Sequence, residues 1–102
     1  MPTAFITAPP DASETIAATL VEERLAACVN SVPCESRYWW DGEVQTDDEV
    51  ILMAKTTEER YSGLRERVVE IHPHDVPCIE RFDEADVLDP FGQWCAESVS
   101  EE

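Results

Sequence analysis

The spacing of apolar residues changes period repeatedly along this chain, and each change marks an expected element. Residues 3–8 (Thr-Ala-Phe-Ile-Thr-Ala) form a short apolar run closed by Pro9-Pro10, the signature of a first strand. Asp11 with Glu14 three positions on resembles a capping box. From there to about Cys28, Ala17, Leu20, Val21, Leu25 and Cys28 fall on one helical stripe, with Glu22 and Glu23 opposite. Residues 29–40 switch to β-formers and end in Tyr38-Trp39-Trp40; Asp41-Gly42 supplies a tight hairpin turn. The return strand runs from Glu43 to about Lys55, and its apolar half, Val50 to Ala54, is expected to be central and covered. Pro33 removes one ladder donor, so a bulge or break is expected there.

Thr56 and Glu59 suggest a second capping box, followed by Tyr61, Leu64, Val68 and Ile71 at helical spacing and by Pro73 as a stop. Residues 76–82 read as a fourth strand. Asp89 and Pro90 open a short last helix, as N-cap and first-turn proline, with Phe91, Trp94 and Cys95 as its buried side; residues 98–102 are expected to fray. The order β-α-β-β-α-β plus a helix predicts one α+β domain over residues 1–102. It is a ferredoxin-like split βαβ sandwich with a long central hairpin.

Hairpin arms of roughly 12 residues span about 40 Å. A domain of about 100 residues has a radius of gyration near 13 Å. The arms must therefore bend or project, and Tyr38, Trp39 and Trp40 at their end would be an uncovered patch. Pairing with another copy's sheet would cover it; folding back onto the chain's own helices is the alternative.

Charge changes the picture next. The chain carries 23 Asp and Glu against 7 Lys and Arg, a formal net charge of −16, spread along the whole length. Such a surface repels phosphate backbones and argues against nucleic-acid binding. Self-repulsion at low ionic strength points to a salt-loving organism with a molar-salt cytoplasm. No apolar run is long enough to span a membrane and the start lacks a leader pattern, so a cytoplasmic location is expected. Cys28, Cys34, Cys78 and Cys95 contain no C-x-x-C pair and are expected to be reduced.

Three stretches carry a family resemblance: residues 20–30 (Leu-Val-Glu-Glu-Arg-Leu-Ala-Ala-Cys-Val-Asn), residues 38–56 from Tyr38-Trp39-Trp40-Asp41-Gly42 to Ala54-Lys55-Thr56, and His72-Pro73-His74-Asp75-Val76-Pro77. Together they resemble the CutA family of divalent-cation tolerance proteins along nearly the whole chain. The resemblance implies a tight homotrimer similar to the PII signalling proteins, with clefts between subunits, and Cys28, Tyr38, Trp40 and Lys55 are the residues expected there. Departures are His74-Asp75 in place of Tyr-Glu, Cys78 in place of Glu, Cys34 in place of Gly after Pro33, and a looser stretch over residues 81–98 that keeps mainly Trp94.

Imidazole and thiolate suit copper and zinc, so His72, His74 and Cys78 form the candidate metal set. Structural roles compete: His72 as a helix C-terminal cap, His74 as a loop residue, Cys78 as a small buried group. Lys55, the sole lysine, could hold an anion in a cleft or pair with a carboxylate. No Gly-rich phosphate loop or local catalytic signature occurs, and an enzyme is not expected. The expected function is a trimer that binds or responds to copper or a similar divalent metal. The alternative is a PII-like signalling or scaffold trimer taking a small molecule or protein in its clefts.

Overall fold

A computed structural model describes residues 1–100. The elements are β1 (Pro2–Ala8), α1 (Pro10–Glu22), β2 (Cys28–Trp40), β3 (Glu43–Lys55), α2 (Glu58–Ile71), β4 (Ile79–Asp83) and α3 (Asp89–Ser98). The four strands form one antiparallel sheet in the order β2-β3-β1-β4. This is the expected ferredoxin-like arrangement. No helix among the described residues is long and apolar enough to cross a membrane.

The register explains the core. Ala4, Ile6 and Ala8 of β1 oppose Ala54, Leu52 and Val50 of β3, so these side chains share one face. That face is sealed by Ile16 and Leu20 of α1 and by Leu64 and Val68 of α2. The alternate positions point the other way: Thr3, Phe5 and Thr7 on β1, Ile51, Met53 and Lys55 on β3, Cys28, Asn30 and Val32 on β2, Glu80 and Phe82 on β4. No helix among the described residues covers the middle of that second face. Phe82 and Val32 on it are 50% and 46% exposed. Only one end is capped, where Cys95 and Val99 pack against Ala27 and Met1.

β1 pairs with β3 only over Val50 to Lys55, whereas β2 and β3 stay paired out to Trp40 and Glu43. The outer halves of the hairpin therefore project, and the molecule measures 46 × 26 × 20 Å. The turn needs left-handed backbone at both central residues, and Asp41 (φ 52°) and Gly42 (φ 78°) provide it. Trp39 and Trp40 beside it are 74% and 67% exposed, so the aromatics do not fold back onto the helices.

Several sequence expectations are corrected. α1 ends at Glu22 rather than near Cys28, because Arg24 turns left-handed (φ 58°) and Ala27 N–H donates to Lys55 O, starting the sheet. Leu25 and Ala26 instead satisfy Leu20 O from the turn. Neither capping box forms. Pro9 caps α1 and Thr57 caps α2, both without a side-chain bond, while Thr56 Oγ1 donates to Leu25 O at 2.6 Å. Pro33 causes no bulge: the pairing is continuous from Cys28↔Lys55 to Trp40↔Glu43. β2 is an edge strand, with a ladder on one side only, where a missing donor is tolerated. β4 begins at Ile79, not residue 76, and Val76 is 84% exposed.

In α3 Asp89 is itself helical and Leu88 takes the cap position. Only Cys95 of its expected buried side is buried; Phe91 and Trp94 stack on each other at 5.7 Å and stay partly exposed. The terminus does not fray from residue 98. Val99 is buried, and its carbonyl accepts from Arg60 Nε at 2.9 Å. Glu101 and Glu102 lie outside the described residues.

Candidate functional site

Where the hairpin leaves the rest of the sheet, it faces the loop of residues 72–78 across a cleft of about 930 Å³. Tyr38, Trp40, Asp47, Asp48 and Glu49 line it from the hairpin; His74, Asp75, Val76 and Cys78 line it from the loop. Tyr38 O–H donates to the Asp47 carboxylate, across one diagonal of the ladder. That bond raises the phenol pKa above the ordinary tyrosine value, since losing the proton would place two anions together.

The structure gives the three candidate metal residues different surroundings. His72 is 7% exposed, and both of its ring nitrogens are in use. Nε2 lies 2.8 Å from Thr7 O, which can only accept, and Nδ1 lies 3.1 Å from the His74 backbone N–H, which can only donate. The ring is thus the neutral Nε2–H tautomer, fastening the loop after α2 to the end of β1. With no lone pair left over, His72 is not available as a ligand in this arrangement. His74 stands beside it, ring centroids 4.9 Å apart, but is exposed and opens on the cleft. Cys78 Sγ is 3.8 Å from Glu80 Oε1. Among the described residues no three His, Cys, Asp or Glu side chains converge closely enough to hold a metal ion.

The residues expected in subunit clefts divide between the two ends of the sheet. Tyr38 and Trp40 join the cleft with His74 and Cys78. Cys28 and Lys55 are direct partners at the opposite end, where Lys55 Nζ donates to Asn30 Oδ1 rather than to a carboxylate. Two further groups lie nearby, of which Glu84 escaped the sequence reading and Cys95 was expected to be buried. Glu84 accepts from Thr3 Oγ1 with one oxygen and buries the other without a partner. Cys95 is fully buried, and desolvation, followed by the neighbouring Cys28, pushes its thiol pKa up. The loop after β4 gives no periodic signal that would have revealed Glu84. The acids of the main cleft had a visible signal, the unbroken Asp47-Asp48-Glu49 run inside a strand.

The fold and its site define a class: a ferredoxin-like domain with an open second sheet face, a projecting hairpin and a polar cleft at the hairpin's root. Comparison with known proteins narrows this. Residues 3–98 match the family model of the CutA1 divalent ion tolerance protein. The divalent-cation tolerance protein CutA of Thermus thermophilus is 45% identical over 97 residues, 93% of this chain and 94% of that protein. That of Pyrococcus horikoshii is 39% identical over 89 residues, 87% of each. A crystal structure of a Pyrococcus horikoshii CutA1 variant superposes with a TM-score of 0.95 at 37% identity, covering 99% of this chain and 100% of that one. The PII-like protein CutA from Nostoc superposes at 0.94 with 33% identity, covering 98% of both chains. The chain belongs to the CutA1 divalent ion tolerance family.

Proposed function

We propose that this protein acts in divalent-cation tolerance as a homotrimer, responding to copper or a similar ion through the cleft at the hairpin root. The observation that carries the reading is the uncovered second face of the sheet. It presents Phe5, Ile51, Met53 and Phe82 in a row continuous with the projecting aromatics. A monomer leaves this apolar surface in water, at about 25 cal/mol per Å². Copies docking face to face and edge to edge would remove it.

His74 and Cys78 are the cleft's nitrogen and sulfur donors, a pairing suited to copper and zinc. Two such donors are too few for a closed site, so carboxylates of the cleft or of a neighbouring copy would complete the shell. His72 would position His74 through its backbone rather than bind. The reading is of a non-enzymatic protein of the cytoplasm.

Calorimetric titration with Cu²⁺ and Zn²⁺ tests it, on the parent, His74→Ala, Cys78→Ser and the pair. Binding that weakens at least tenfold in the pair supports the cleft; unchanged binding removes it. Light scattering on the same samples reports the trimer separately. The PII-like alternative draws on Lys55 and Asn30 at the other end of the sheet, a polar group able to take an anion. Nucleotide titrations run beside the metal titrations distinguish the two.

A further inference from the structure

The open face that would meet a neighbouring copy carries mostly negative charge. By the strand register, its charged side chains on the hairpin and on β4 are Glu43, Asp47, Glu49 and Glu80, opposed by Lys55 alone. Lys55 is at the far end from the hairpin acids and already donates to Asn30. The arginines do not compensate. Arg37 pairs with Glu35, Arg67 with Glu23 and Glu70, and Arg81 with Glu58 and Asp83. Arg24 and Arg60 hold the carbonyls of Ser98 and Val99 at the end of α3. These five bond within their own chain; by the register Arg37 and Arg81 are on the opposite face, although Arg37 also lines the cleft, and the sixth, Arg65, lies on α2. Each copy, moreover, bears a formal charge of −16.

We propose that self-association through this face is gated by ionic strength: like-charged surfaces meet, and mobile cations must screen them before the apolar row can close. The inference rests on the self-assembly proposed above and adds its regulation. Its sign is opposite to that of an interface held by ion pairs, which salt weakens. The Debye length falls from about 10 Å at about 0.1 M salt to about 3 Å at about 1 M. Carboxylates brought within a few ångströms of a neighbour's are therefore felt strongly in the first condition and weakly in the second. Diffuse screening suffices, since no carboxylate cage is present among the described residues.

Sedimentation velocity of the full chain across a KCl series, from about 0.05 M to about 1 M, tests this with far-UV circular dichroism recorded in parallel. The association constant of the parent is expected to rise by about tenfold or more, the scale of like-charge juxtaposition at an interface. The triple variant Asp47→Asn, Glu49→Gln, Glu80→Gln should assemble at the low-salt end. Salt also strengthens apolar burial, and sucrose does so without screening. A sucrose series that reproduces the KCl effect, or a variant that tracks the parent, overturns the gating while leaving self-assembly intact. So does a parent equally assembled at every salt concentration. A chain monomeric throughout removes the assembly and its gating together. Where low salt unfolds as well as dissociates the parent, a variant that keeps both fold and assembly supports the proposal, and one that loses both overturns it.

Discussion

His72 shows how a residue's chemistry is decided by its neighbours. Between Thr7 O and the His74 N–H the imidazole is a buried two-way connector. His72→Ala should lower stability by about 1–2 kcal/mol in urea denaturation, because the Thr7 carbonyl and the His74 N–H, both only partly buried, lose their partner. The sequence offered the histidine as the C-terminal cap of α2, and it occupies that position; the fastening by its ring was not legible, since His-Pro-His is equally compatible with ligation. Tyr38 gives a pH prediction. Its folded pKa is raised, so the Asp47 bond stabilises the protein below the ordinary tyrosine value of about 10 and is lost as pH rises through the higher folded value. Asp47→Asn should bring the phenolate absorbance transition back down. Glu23 and Asp83 behave in the opposite sense. Hydrogen bonds from Arg67 and Arg81 lower their pKa values, so their contribution is present above the ordinary carboxylate range and disappears as pH falls through the lowered values. Arg81→Gln should move the Asp83 carboxyl titration back up in carbon-detected NMR. Cys95, buried and with its thiol pKa raised, should resist iodoacetamide in the native protein near neutral pH and react on unfolding.

At the scale of elements, the helices and the hairpin were legible because their periods differ. Leu64 and Val68 are both fully buried, at the spacing that marked α2. Leu64→Ala should cost about 2–5 kcal/mol, read from the shift in urea midpoint. The end of α1 was not legible. Leu25 and Ala26 pack on the core after the chain has left the helix at Arg24, so the apolar stripe outlasts the helix. A periodic pattern records which residues are buried, and a buried turn can continue it by coincidence. Thr56 misled for a related reason: its hydroxyl lies at a helix entrance but bonds across to Leu25 O, a partner 31 positions away. The hairpin tip was legible through Asp41-Gly42, whose left-handed backbone few other pairs adopt. Gly42→Val should destabilise the turn by about 1–2 kcal/mol and loosen the outer ladder, seen as faster amide exchange over residues 36–47.

The whole molecule is a two-layer sandwich with one layer missing its cover. The order of elements was enough to anticipate that architecture, because few topologies place two helices on one face of a four-stranded antiparallel sheet. The candidate cleft was only partly legible. It joins residues of β2, β3 and the loop before β4, and the distance between His74 and Tyr38 is a property of the fold rather than of either stretch. The long ribbon also determines what a spectrometer sees. Trp39 and Trp40 sit at its tip and Trp94 on the outward side of α3, while the sealed interior is built from Ile, Leu, Val and Ala. Indole emission from this protein is therefore nearly blind to melting of the interior. It should instead shift to the blue when copies meet and to the red when they part, an optical gauge of association that needs no added label.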